Sequence, residues 1–265
     1  MTEDGILTAD TITRGLQTQT LGQRIVFYER VGSTNDVAKQ LADAGEPEGT
    51  LVIADEQTAG RGRLGRTWVA PPHSSILMSL VLRPALVPHQ VARVTMAVAL
   101  GACVAIRAET GLEVQIKWPN DLLVRGKKLA GILSEAGIVG DELEYVVVGI
   151  GVNVNFNAAA VAEIPNDATT LADELGQSLS RVRLVQALLH RIEEYYLRVN
   201  EDLVPEYSAH LSTLNQWVRV QTLAGIEEGL AERVNENGAL ILRRADDSHI
   251  ELVAGEVTFI KSRGG

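Results

Sequence analysis

Apolar positions along the chain follow two periods. Residues 25–28, Ile-Val-Phe-Tyr, begin as a strand, residues 50–54 form a short second strand, and residues 75–82 a buried third. Between the first two, Val37, Ala38, Leu41 and Ala42 recur at helical spacing behind Ser33-Thr34-Asn35-Asp36. That pattern predicts a helix capped by Ser33 and ended by Gly45 and Pro47. Residues 91–109 predict a buried helix with Gly111 just past its end. Val114-Gln115-Ile116 alternates, and residues 121–124 and 129–133 predict a hairpin around Arg125-Gly126. Residues 143–154 predict a strand, β-branched at Val146, Val147 and Val148, and helices are expected at 181–199 and 203–214.

The two ends differ in texture. Residues 1–24 are polar, with Ile6, Leu7, Ile12 and Leu16 as scattered anchors and room for one short helix. Beyond Leu214 short strands are expected at 217–221, 230–235, 240–243 and 257–260, with Asn237-Gly238 as a hairpin turn. Such a run predicts a small closed barrel. The chain therefore divides into an extension (1–24), a large unit (25–215) and a small C-terminal unit (216–265), and its class is α+β around a mixed β-sheet.

Composition narrows the function classes. A net charge of −10 argues against a basic nucleic-acid-binding surface, so no DNA partner is expected. Cys103 is the single cysteine, which excludes an intramolecular disulfide, and its apolar surroundings predict an inert buried thiol. Residues 1–10 have no signal-peptide pattern, and Arg93 and Arg107 interrupt the longest apolar stretch, so a cytoplasmic protein without a membrane partner is expected. The five histidines show no metal-ligand spacing with one another, and no G-x-S-x-G elbow is present.

Against this acidic background, Gly60-Arg61-Gly62-Arg63-Leu64-Gly65-Arg66-Thr67-Trp68 stands out. Glycines admit close approach of backbone amides to a phosphate, and guanidinium groups neutralise and orient it. The string also satisfies the G-x-G-x-x-G dinucleotide fingerprint, but residues 55–59 separate it from the preceding strand and Pro71-Pro72 follow it. A second string, Lys117-Trp118-Pro119-Asn120-Asp121 with Lys127-Lys128-Leu129-Ala130-Gly131, turns a hairpin in which Asp121 suits Mg²⁺ on a triphosphate and a lysine suits the transferred phosphorus. Spacing alone equally allows ordinary turn residues and a solvated lysine pair. Gly149-Ile150-Gly151-Val152-Asn153 marks either a bulge or a close approach to a ligand. Ser33-Thr34-Asn35 alone is explained as a helix cap.

In this order, these strings resemble the biotin–protein ligases, over residues 25–155 and more weakly over 217–260. The resemblance implies a synthetase-like catalytic domain over 25–215 and an SH3-like β-barrel over 216–265. It implies that Ser33, Thr34, Asn35 and Gln57 face biotin, that Arg61, Gly62 and Arg63 close over biotin and its adenylate, and that Gly131 lies beside them. Arg66, Trp68, Asn120, Asp121 and Asn153 would meet ATP, with Asp121 on Mg²⁺. Lys128 would lie between the biotin carboxylate and the reacting phosphate, with Arg63 and Asp121 sharing the catalytic role. ATP and biotin are then substrates and a biotin carboxyl carrier protein the partner, with a homodimer as a further expectation. Only 32 residues precede Ser33, so a ligase without operator recognition is expected. Rival readings are a lipoate or octanoate ligase, a non-catalytic biotin sensor and a nicotinamide-dependent oxidoreductase.

Overall fold

Eight consecutive buried residues in β3 (Ser75–Leu82) demand cover on both faces of the sheet that contains it. The computed structural model, which describes residues 6–260, supplies that cover. The sheet has seven strands in the order β1 (Ile25–Val31), β2 (Leu51–Gln57), β3, β7 (Glu142–Asn153), β6 (Lys127–Val139), β5 (Asp121–Val124), β4 (Val114–Lys117). Strands β1 and β2 run parallel and every other neighbouring pair is antiparallel, so the sheet is mixed, as expected. Helix α2 (Thr34–Asp43) covers one face through Ala38 and Ala42 against Val52, Val81 and Val147.

The other face packs on α3 (Val91–Thr110) and α5 (Arg181–Tyr196), whose buried residues join the main core. Helix α3 is long and apolar enough to cross a bilayer, yet it lies inside this core, where Val94, Leu100 and Ile106 are fully buried. Gly111 ends it in the left-handed conformation at φ 71°. Cys103 is buried there, and burial pushes its thiol up to about 12.

The N-terminal segment holds the one short helix expected, α1 (Ala9–Thr13), capped by Thr8. It is pinned by buried Glu193 of α5, whose carboxylate accepts the backbone amides of Gln19, Thr20 and Leu21 at 2.7, 2.8 and 2.7 Å. A second buried charge, Arg181 at the start of α5, donates to Asp55 of β2 at 2.6 Å and to the carbonyl of Ser75 at 3.2 Å. Both partners are about nine-tenths buried, and the second oxygen of Asp55 meets the exposed His73 ring at 3.0 Å.

The Arg125-Gly126 turn forms as expected, with both residues left-handed at φ 49° and 77°. Strand β6 runs further than the expected 129–133, pairing with β7 up to Val139. Helix α5 stops at Tyr196, and α6 (Val204–His210) is shorter than the expected 203–214. Its would-be last turn instead covers the sheet edge. Leu211 bridges to Ile116, Ser212 donates its amide to the Ile116 carbonyl at 2.9 Å, and the Thr213 hydroxyl accepts the Trp118 amide at 2.9 Å. Satisfying an open strand edge outweighs one more helical turn. A five-residue helix α4 (Leu171–Leu175), capped by Thr170, was not anticipated.

The C-terminal strands form a five-stranded antiparallel sheet in the order β11 (His249–Leu252), β10 (Leu240–Arg243), β9 (Ile226–Val234), β8 (Trp217–Gln221), β12 (Glu256–Phe259). Strand β11 was not anticipated, and β9 begins earlier than the expected residue 230. The Asn237-Gly238 turn closes on Asn235, whose side-chain oxygen accepts the amides of Asn237 and Ala239. Val218, Ala231, Leu240 and Leu242 of this sheet belong to the same core as the large unit. Buried Trp118 ties the two, its indole N–H donating to the Gly238 carbonyl at 2.9 Å.

Arg181→Ala should cost about 3–5 kcal/mol because it leaves buried Asp55 with only the exposed His73 ring as a side-chain partner, whereas exposed Arg183→Ala should stay within about 0.5 kcal/mol. Urea unfolding of the two variants against the parent checks the difference.

Candidate active site

A cavity of about 520 Å³ opens where the ends of β2, β6 and β7, the first turn of α2, the Arg-Gly loop and strand β12 meet. All fourteen residues that the sequence singles out line it, from Ser33, Thr34, Asn35 and Gln57 on one side to Asn120, Asp121, Lys128 and Asn153 on the other.

The floor is a gap in the sheet. Gly131 of β6 and Gly151 of β7 face each other in register, and Trp68 lies over both. A β-carbon on Gly151 would sit 2.6 Å from the indole, and one on Gly131 3.1 Å from it. The strand glycines therefore mark a close approach, the alternative to a bulge. Lys128 extends across the same indole, with Nζ 5.8 Å from the ring centre, and forms an ion pair with Asp121 at 2.7 Å. Its backbone is fixed from outside the hairpin: the Lys128 amide donates to the Asp167 carbonyl and its carbonyl accepts the Thr169 amide, at 2.7 and 2.8 Å.

The Arg-Gly loop folds back on itself rather than opening a helix, which removes the dinucleotide fingerprint. The Trp68 amide donates to the Gly60 carbonyl and the Gly62 amide to the Arg66 carbonyl, with a three-residue turn at Arg63–Gly65 between them. Leu64 and Gly65 in that turn are left-handed. Arg61 is held by Asp36 and by Glu135, the latter at 2.5 Å, and the Glu135 hydrogen bond raises its pKa further. Arg66 pairs with Glu256 of β12. Arg63 has no carboxylate in contact among the described residues: it donates to Asn120 Oδ1 at 2.9 Å and to the Gly255 carbonyl at 3.2 Å. Burial lowers its pKa, so an incoming anion would relieve a desolvated charge.

At the other end, Ser33 occupies the N-cap position of α2, but its hydroxyl makes no capping bond, so the expected cap is corrected. Gln57 substitutes for it: its Oε1 accepts the Thr34 amide at 2.7 Å and the Thr34 hydroxyl at 3.0 Å. The Asn35 amide is taken up by Ser79, Glu135 and the Leu133 carbonyl. Asn153 donates to the Thr169 carbonyl at 3.1 Å.

Sequence reasoning missed three contributors. Lys117 lines the cavity with its ammonium 5.9 Å from the Phe259 ring centre; residues 163–168 form a wall beside Lys128; and residues 255–259 of the C-terminal sheet form another. Lys117 stood inside a string already singled out, whereas the other two depend on long-range pairing that leaves no local signal. No group of three or more His, Cys, Asp or Glu side chains placed to hold a metal occurs among the described residues. Mg²⁺ carried in on phosphates keeps most of its waters and needs only one or two carboxylates, and Asp121 is one of the four that line the cavity.

Residues 27–153 match the Biotin/lipoate A/B protein ligase family, and residues 213–259 match the Biotin protein ligase C terminal domain. The chain is 34% identical over 243 residues to the Bifunctional ligase/repressor BirA of Bacillus spizizenii, covering 90% of this chain and 75% of that one. It is 34% identical over 247 residues to the Biotin–[acetyl-CoA-carboxylase] ligase of Mycobacterium tuberculosis, covering 86% and 88%. Among solved structures, the biotin protein ligase from Aquifex aeolicus in complex with biotin and ATP superposes with a TM-score of 0.76 at 26% identity, covering 91% of this chain and 100% of that one. With two matched regions, these relatives and a shared fold, the chain belongs to the biotin protein ligase family.

Proposed function

We propose that this chain activates biotin with ATP as biotinyl-5′-adenylate and passes the biotinyl group to a lysine of a biotin carboxyl carrier protein. The observation that carries this reading is the convergence of Lys128, Asp121, Trp68 and the three loop arginines on one cavity whose far end presents Ser33, Thr34 and Gln57.

In the first step an oxygen of the biotin carboxylate bonds to the α-phosphorus, and the bond to the bridging oxygen breaks to release pyrophosphate. In the second, the acceptor lysine's uncharged amine attacks the carbonyl of the mixed anhydride, loses its proton and expels AMP. Lys128, already on the Trp68 face, would follow the negative charge from the carboxylate to the non-bridging phosphate oxygens. Asp121 would yield its partner to the phosphate and turn towards Mg²⁺, which neutralises phosphate charge when bound. Arg63 and Arg66 would take the polyphosphate, and Arg61 with Gly62 would close over the adenylate and exclude water. Asn120 and Asn153 would orient the nucleotide.

The catalytic unit over 25–215 and the C-terminal unit over 216–265 are part of the same reading, supported by separate family matches to 27–153 and 213–259. A ligase without operator binding is supported by the net charge of −10. We place it in the cytoplasm, where the carrier and ATP occur.

ATP–pyrophosphate exchange with Mg²⁺ should depend on biotin and not on lipoate or octanoate, and Lys128→Ala should lower it about 100-fold or more. Exchange driven by lipoate instead would move the chain to the other branch of the family, and none with any acid would leave only binding. Separately, biotin with ATP should slow trypsin cleavage at Arg61, Arg63 and Arg66, read by mass spectrometry. Equal cleavage with and without ligands would refute loop closure.

A further inference from the structure

Helix α2 begins without help from its own cap residue, and what replaces that help is a buried polar cluster drawn from three strands. Ser79 of β3 is fully buried and places its hydroxyl between Asn35 Oδ1 at 2.6 Å and Thr34 Oγ1 at 2.8 Å. The Asn35 amide nitrogen donates to Glu135 Oε2 at 2.9 Å and to the Leu133 carbonyl at 3.3 Å, both on β6. Opposite Ser79 in register stands Gly149, and a β-carbon there would lie 2.0 Å from Asn35 Oδ1. The amide thus sits in a notch cut for it, and its orientation is set: oxygen towards Ser79, nitrogen towards Glu135.

Every hydrogen-bonding group of Asn35 that faces the protein is spent, so its contribution to ligand recognition is indirect. By contrast, among the described residues the Ser33 hydroxyl and the Gln57 amide nitrogen have no protein partner, and both line the cavity. The cluster holds the first turn of α2 in place without using those two groups. A cyclic urea, with its N–H donors and carbonyl acceptor, requires both kinds of partner at fixed positions, and a group free to rotate would lose part of the binding energy.

We propose that Ser79 and Glu135 are positioning residues that lock the Asn35 amide and thereby preset Ser33, Thr34 and Gln57 for the ureido ring of the acid being activated. This rests on the biotin reading of the cavity. Glu135 also holds Arg61 at 2.5 Å and Lys39 at 3.5 Å, so the same carboxylate links the ring end of the cavity to the loop that covers it. Burial opposes ionisation of that carboxyl, but hydrogen bonds from Asn35 and Arg61 outweigh it and keep its pKa below the usual range.

The test is steady-state pyrophosphate exchange by the full chain, with KM for biotin and for ATP measured separately. Ser79→Ala and Glu135→Ala should each raise the biotin KM about tenfold, equivalent to about 1.4 kcal/mol, and leave the ATP KM within about twofold. Glu135→Gln, which keeps an acceptor for Asn35, should recover most of the biotin KM. In an Asn35→Ala background Ser79→Ala should have a smaller effect than in the parent, because its link to Asn35 is already gone and only its Thr34 contact remains, whereas independent structural damage would multiply. Unchanged biotin KM in Ser79→Ala and Glu135→Ala, equal rises in both KM values, or multiplied effects in the Asn35→Ala background would overturn the proposal. If Ser79→Ala does not fold, the Glu135→Ala and Glu135→Gln pair decides alone. Failure of the parent protein to show biotin-dependent exchange would instead sink the biotin reading itself.

Discussion

The site depends on one steric constraint: an indole laid across a sheet at a point where two facing residues have no side chains. Gly131 and Gly151 are cross-strand partners, and the space that a methyl group would fill at either is occupied by Trp68. Dispersion contacts fall off steeply with a gap of even half an ångström, so this fit places the end of the Arg-Gly loop to within a fraction of an ångström. Lys128 then lies against the same ring, and Asp121 on the neighbouring strand fixes the ammonium. Loop, cation and carboxylate share a single reference point. Glycine within a strand weakens it by itself, and the surrounding β3, β7 and β6 ladder absorbs that cost.

A second constraint is charge. Five basic side chains and four acidic ones line the cavity of a protein whose net charge is −10. Three of the basic groups, Arg61, Arg66 and Lys128, are each held by a carboxylate, which keeps long, flexible side chains ordered in place. Exposed pairs of this kind contribute little stability, so exchanging a carboxylate for a phosphate costs little. Arg63 differs: partly buried, bound only to neutral acceptors and lowered in pKa by desolvation, it is the loop cation with the most to gain from an anion.

Much of this was legible in the chain itself, and the exceptions share a cause. Ser33-Thr34-Asn35, the Arg-Gly string, Lys117 to Asp121, Lys128 and Gly149 to Asn153 are local strings, each set by a turn, a helix start or a strand end, and the fold brings them to one cavity. The mixed sheet, α2, α3 and the Arg125-Gly126 turn likewise follow from periodicity and turn chemistry. What escaped is non-local. The walls at 163–168 and 255–259, the shortened α6 and the Ser33 hydroxyl released from capping all result from backbone or side-chain partners far away in the chain. Glu135 looks like an ordinary strand residue until Asn35, exactly one hundred positions away, is placed against it.

The role of the C-terminal sheet illustrates the difference most clearly. Its strand texture alone suggests an appendage, yet its residues share the core of the large unit and line the cavity. Arg63 donates to the Gly255 carbonyl, Arg66 pairs with Glu256 and Lys117 faces the Phe259 ring, so β12 and the residue just before it touch three of the five cations in the cavity. The anchor for that arrangement is Trp118, buried at the head of the Asn120-Asp121 turn and bonded to both Thr213 and Gly238. A side chain in the turn between β4 and β5 on one flank thus holds the second sheet on the other. The position of β12 over the loop arginines follows from the same packing that positions Asp121, and the two units form the site together.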